Sequence, residues 1–145
     1  MIQNNIKEQF IPYNEALVLK ELGFNEQCMR FYSSKNGGTL VLPERMSNIH
    51  NTVNSSVEIL GYCAAPLWQQ AFDWFREEHG LSSTIISKMH YDVEKNVYLI
   101  NELKNRRVKS KFFKSKMSKV YKDYSEAREA CLERLIKTAE NYEQK

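Results

Sequence analysis

Residues 104–122, KNRRVKSKFFKSKMSKVYK, hold nine lysines and arginines, no acidic residue, and two phenylalanines at their centre. Cationic side chains at this density displace the counterions condensed on a phosphate backbone, and aromatic rings among them offer flat faces on which unpaired bases stack. The other 12 basic residues share the chain with all 18 acidic ones, so the net charge of +3 conceals one strongly positive segment in an otherwise negative protein. Drawn out as a strand, the segment places Arg107, Lys109 and Lys111 on one side and Val108, Ser110 and Phe112 on the other. The expected ligand is nucleic acid, held by Arg106, Arg107, Lys109, Lys111, Lys114, Lys116, Lys119 and Lys122, with Phe112, Phe113 or Tyr121 stacking on bases. Edge strands also carry lysine simply to block pairing with other chains. Nine charges with no acid between them exceed what that device requires.

Other chemistry is sparse. His50, His79 and His90 have no metal-ligand spacing, and no cofactor motif accompanies them. Gly37-Gly38 lacks the Lys-Ser or Lys-Thr that completes a phosphate-cradling loop. The cysteines, Cys28, Cys63 and Cys131, are odd in number and far apart, as expected of small hydrophobes in a reducing compartment. A nucleophile pair, Cys63 with His79 or Cys28 with His50, would have to be assembled by the fold. Glu77 and Glu78 beside His79 read as solvated charge. The balance is a non-enzymatic binding module without cofactor or metal. The amino terminus lacks the basic start and apolar run of an export signal, and no stretch approaches the ~20 apolar residues that span a bilayer. A cytoplasmic location without membrane contact is therefore expected, and the glycosylation match at Asn54-Ser55-Ser56 carries no meaning there.

The elements that must position the basic segment are read from periodicity. PYNEALVLKELG forms a short helix with Asn14 as cap, Ala16, Leu19 and Leu22 on one face and Gly23 as terminator. CMRFYSSKNGGTLVLP folds as a hairpin about Asn36-Gly37-Gly38, with Pro43 ending its second strand. Residues 44–58, rich in Ser and Asn, read as loop or short irregular strands. In AAPLWQQAFDWFREEHG, Pro66 suits a first turn, Leu67, Trp68, Ala71, Phe72 and Phe75 make an apolar face, and Gly80 stops the helix. Trp74 extends that face and becomes a partner anchor only if exposed. STIISKM and VYLINEL are strands on either side of a turn near Glu94-Lys95-Asn96, and Val108, Phe112 and Phe113 suggest a third. DYSEAREACLERLIKTAENY closes the chain as a helix with Ala127, Cys131, Leu135 and Ala139 four apart and Asp123 and Glu126 as a capping box.

Strands grouped between helices, without regular βαβ alternation, imply one α+β domain with a small antiparallel sheet and helices packed on one face. Within 1–145, residues 1–60 carry the first helix and hairpin, and 61–145 run helix, strand, strand, strand, helix.

Three blocks, FIPYNEALVLKELGFNE at 10–26, PLWQQAFDWFREEHGL at 66–81 and YSEAREACLERLI at 124–136, resemble in content and order a group of short uncharacterised proteins encoded by bacteriophages and prophages. The resemblance implies an accessory protein of a mobile element working in a bacterial cytoplasm, and brings no catalytic residue with it. The order helix, three strands, helix also resembles the double-stranded RNA-binding domain, whose lysines at the start of the last helix grip phosphates. Here that position reads Ser125-Glu126-Ala127, with Lys119 and Lys122 just upstream. Two further function classes suit such a chain. One is an anti-defence or recruiting module that steers its basic strip onto an acidic host protein, and the other is a sponge for anionic signalling nucleotides.

Overall fold

The computed structural model of the chain describes residues 6–41, 53–58, 61–90, 93–102, 116–117 and 119–143. They form an α+β fold with two antiparallel three-stranded sheets. The chain divides into two compact units, Met1–Ala71 and Phe72–Lys145.

In the first unit, Pro12 takes an extended conformation, φ −61° and ψ 157°, and precedes helix α1 (Tyr13–Glu21). Its carbonyl accepts the first helical bond, from the Ala16 amide at 3.0 Å. Asn14 therefore lies inside the first turn rather than capping it, because the fixed φ of proline sets the entry without a capping side chain. Ala16 and Leu19 are buried. Strands β1 (Phe31–Ser33) and β2 (Thr39–Val41) pair through Tyr32↔Leu40, joined by a 3₁₀ turn at Ser34–Asn36 and the two glycines. Strand β3 (Tyr62–Ala64) pairs on the other side of β1 through Tyr32↔Cys63, giving the order β2-β1-β3. This pairing draws residues beyond 60 into the first unit.

Part of the stretch expected to be irregular is a short helix, α2 (Asn54–Val57). Its first residue is a keystone. Asn54 is 4% exposed; its Nδ2 donates to the Phe24 carbonyl at 2.7 Å and its Oδ1 accepts from the Ala64 amide at 2.8 Å. Both ends of the amide are thus spent on backbone. The Tyr13 ring meets Tyr32 edge-on at 5.4 Å, and the Tyr32 hydroxyl donates to the Ile11 carbonyl. Helix α3 (Trp68–Glu78) begins beyond Pro66, and its Trp68 indole donates to the Glu8 carbonyl at 3.0 Å.

In the second unit, Trp74 and Phe75 are 4% and 0% exposed and pack edge-on at 5.0 Å. Trp74 is core, so it is no partner anchor. Strands β4 (Leu81–His90) and β5 (Val93–Glu102) pair continuously from Leu81↔Glu102 to His90↔Val93. Glu94-Lys95-Asn96 thus lies inside β5, and residues 91–92 join the strands instead. Asn96 is held extended because its backbone bonds Tyr121 on the following segment in both directions, at 3.2 and 2.8 Å. Strand β6 (Lys116–Met117) pairs with Leu99 and Ile100, giving the order β4-β5-β6. The strand expected around Val108, Phe112 and Phe113 lies outside the described residues. Helix α4 (Tyr124–Glu143) rests on β4 and β5, with Ala127, Cys131, Leu132, Leu135, Ile136 and Ala139 buried. Small side chains at three of these positions let the helix axis approach the sheet closely.

Gly37 and Gly38 both have positive φ, 61° and 83°, but their surroundings differ. A Cβ on Gly38 would collide with the Tyr13 ring, whereas one on Gly37 meets nothing within 4 Å. Gly38→Ala should therefore cost more than about 2 kcal/mol, and Gly37→Ala about 1 kcal/mol. Chemical denaturation of the two variants will separate them, and equal losses would contradict the contact with Tyr13. Asn54→Ala strands the Ala64 amide and the Phe24 carbonyl, so a loss of about 2–4 kcal/mol is expected by the same measurement.

Candidate nucleic-acid interface

Strand β5 ends just before the basic segment, and β6, on the edge of the second sheet, lies within it. Of the residues expected to hold a polyanion, Lys116 is the first residue of β6, opposite Ile100. Lys119 and Lys122 are exposed, on the connection from β6 to α4. Arg106, Arg107, Lys109, Lys111, Phe112, Phe113 and Lys114 lie outside the described residues.

The re-entry is fixed by Asn96. Besides its two backbone bonds to Tyr121, its Nδ2 donates to the Lys122 carbonyl at 3.3 Å. The residue is 0% exposed and its Oδ1 is buried without a donor, a cost of about 1–3 kcal/mol that the three bonds offset. Three residues separate Met117 from Tyr121, but only two separate Asn96 from Leu99 opposite them, so the incoming chain carries one extra residue in the manner of a β-bulge. That extra residue turns Tyr121 toward the same side of the sheet as Asn96 and Tyr98.

Tyr121 stacks on Tyr98 with ring centroids 6.0 Å apart and planes 22° from parallel. Burial pushes the Tyr98 phenol up from its ordinary pKa, and the adjoining Tyr121 adds to the rise. The Lys119 Nζ lies over the Tyr121 ring, 5.7 Å from its centroid. One residue into the helix, Tyr124 is 47% exposed, with the Arg128 guanidinium over its ring at 5.9 Å. Val120 is 58% exposed. The expected capping box is present, shifted by one residue at its return bond. The Glu126 amide donates to the Asp123 carboxylate at 2.9 Å, and the Glu126 carboxylate accepts from the Lys122 amide at 3.4 Å.

Sequence reasoning had Tyr121 as a possible stacking residue but missed Tyr98, Tyr124 and Arg128. The Tyr124 to Arg128 spacing of four, across the first turn of a helix already expected there, was the available signal. For Tyr98 no such signal exists, since its partner is set by the bulge.

Elsewhere the described side chains offer little chemistry. No group of three His, Cys, Asp or Glu among them is placed to hold a metal ion, and no helix among them is long and apolar enough to cross a membrane. Comparison with protein-family models, curated proteins and solved structures finds no match.

The three cysteines are free and buried. Burial pushes the Cys28 thiol up to about 12, with Glu26 and Cys63 adding to the rise. Cys63 rises to about 11, again chiefly by burial, against an opposing pull from Lys20. Cys131 rises to about 12, its burial partly offset by a hydrogen bond with Ser83. Each is a protonated, unreactive thiol at neutral pH. The folded state holds these protons more tightly than the unfolded one, so their contribution to stability is whole below the ordinary pKa of 9.0 and fades as pH rises toward about 12. Midpoints of urea denaturation should accordingly fall between pH 9 and the limit of measurement, and Ellman's reagent at pH 8 should label the thiols only in denaturant. Immediate stoichiometric labelling of the native protein would show that they are not sequestered.

Proposed function

We propose that this chain is a non-enzymatic nucleic-acid-binding module, an accessory protein of a bacteriophage or prophage acting in the host cytoplasm. The observation that carries the reading is charge placement: nine cations with no acid over residues 104–122, in a chain whose remainder is net negative. A segment of that kind attracts a polyanion by releasing its counterions. Supporting this are the exposed Lys119 and Lys122, the return of the segment along a sheet edge, and the tyrosines beside it. An acidic host protein would meet the same electrostatic surface, but no described feature favours it over phosphate.

Binding should be strongly salt-dependent. If about six phosphates are engaged, affinity for an oligonucleotide falls by on the order of a hundredfold or more between ~50 and ~200 mM salt. Replacing Lys119 and Lys122 by glutamate should weaken binding and flatten the slope of log K against log salt, with circular dichroism unchanged because both side chains are exposed. Identical migration with and without oligonucleotide in a low-salt gel shift would refute the reading. Recovery of an acidic host protein in its place would redirect it to protein docking.

A further inference from the structure

Resting on the nucleic-acid reading, we infer that the ligand is single-stranded, and that Tyr124 is a stacking site for an unpaired base, with Lys119 and Lys122 on the neighbouring phosphates. The start of α4 is where a helix ordinarily offers its amides to a phosphate. Here the Glu126 amide of that first turn is taken by the Asp123 carboxylate, and the Glu126 carboxylate accepts from the Lys122 amide just ahead of the helix. Two negative charges at this end neutralise the helix dipole and repel phosphate. A phosphate-gripping helix start, the means by which a duplex backbone would be held here, is therefore opposed by these two carboxylates.

An aromatic face is not closed off by the same charges, because a stacked base is neutral. Tyr124 is the first residue of α4, 47% exposed, with Arg128 one turn further along at 5.9 Å from its ring. The arrangement of tyrosine and guanidinium presents a flat, cation-supported surface of the kind that takes bases irrespective of sequence. Lys119, Lys122 and the 58% exposed Val120 precede it within six residues. Tyr121 itself is committed to Tyr98, so it braces the platform from within the fold. Bases of a duplex already stack on one another and turn only their edges outward. Only a single strand has faces to give.

The test is fluorescence anisotropy on the full chain with three probes: a labelled single strand of about 15 nucleotides, its duplex, and inorganic polyphosphate as competitor. The single strand should bind tightest. Tyr124→Ala should weaken it roughly five- to a hundredfold without altering the salt slope, while Tyr124→Phe, which keeps the ring, binds as the wild type does. Equal affinity for strand and duplex, or an Ala variant that retains its circular dichroism and loses no affinity, would overturn this inference and leave a general polyanion surface standing. Binding of none of the three probes would overturn the underlying reading as well.

Discussion

A buried backbone must pair every amide and carbonyl it withdraws from water, and in the second unit Asn96 uses that demand to tie the chain ahead of α4 to the sheet. Its amide and carbonyl bond Tyr121, and its side chain bonds the next carbonyl, at Lys122. These bonds decide where the chain returns from its most highly charged segment. They also set the direction in which it enters α4, the helix that covers β4 and β5. A residue of ordinary strand preference, such as valine, would satisfy the backbone pairing but leave the Lys122 carbonyl without this donor.

The apolar framework was legible because it is periodic. Ala127, Cys131, Leu135 and Ala139 recur at a spacing only a helix brings to one face, and all four are 0% exposed. The double glycine at 37–38 signalled a reversal for a reason the coordinates repeat, since both have positive φ. The order helix, strand, strand, strand, helix followed from the same patterns, and α+β with antiparallel sheets is what the chain forms. What escaped was polar and non-local. Asn96 carries a turn former's preference in a strand, and Asn54 sits in a segment whose composition suggests loop. Each is held by partners 10 to 30 positions away. Local propensity has no access to such bonds. Tyr124 and Arg128 stand four apart on an expected helix, a spacing the sequence displays, but the charge density is highest upstream of them, around the phenylalanines.

Charge in this protein is segregated rather than scattered, and the two carboxylates that next follow the basic segment in the chain have local work. Asp123 and Glu126 close the first turn of α4. Acids at this boundary terminate the positive run and start the helix. Acids in the first turn favour the helix because they sit at the positive end of its dipole.

The extra residue between Met117 and Tyr121 makes composition and length answer to different constraints. Dropping one residue there would leave the tyrosine opposite Asn96 in a regular ladder but remove the bulge, and with it the local bend and added twist with which the chain reaches α4; adding one would enlarge the bulge. Exchange of one cation for another leaves the bulge intact. Over evolutionary drift this segment is accordingly free to trade lysine for arginine, while an insertion or deletion of a single codon would misdirect it.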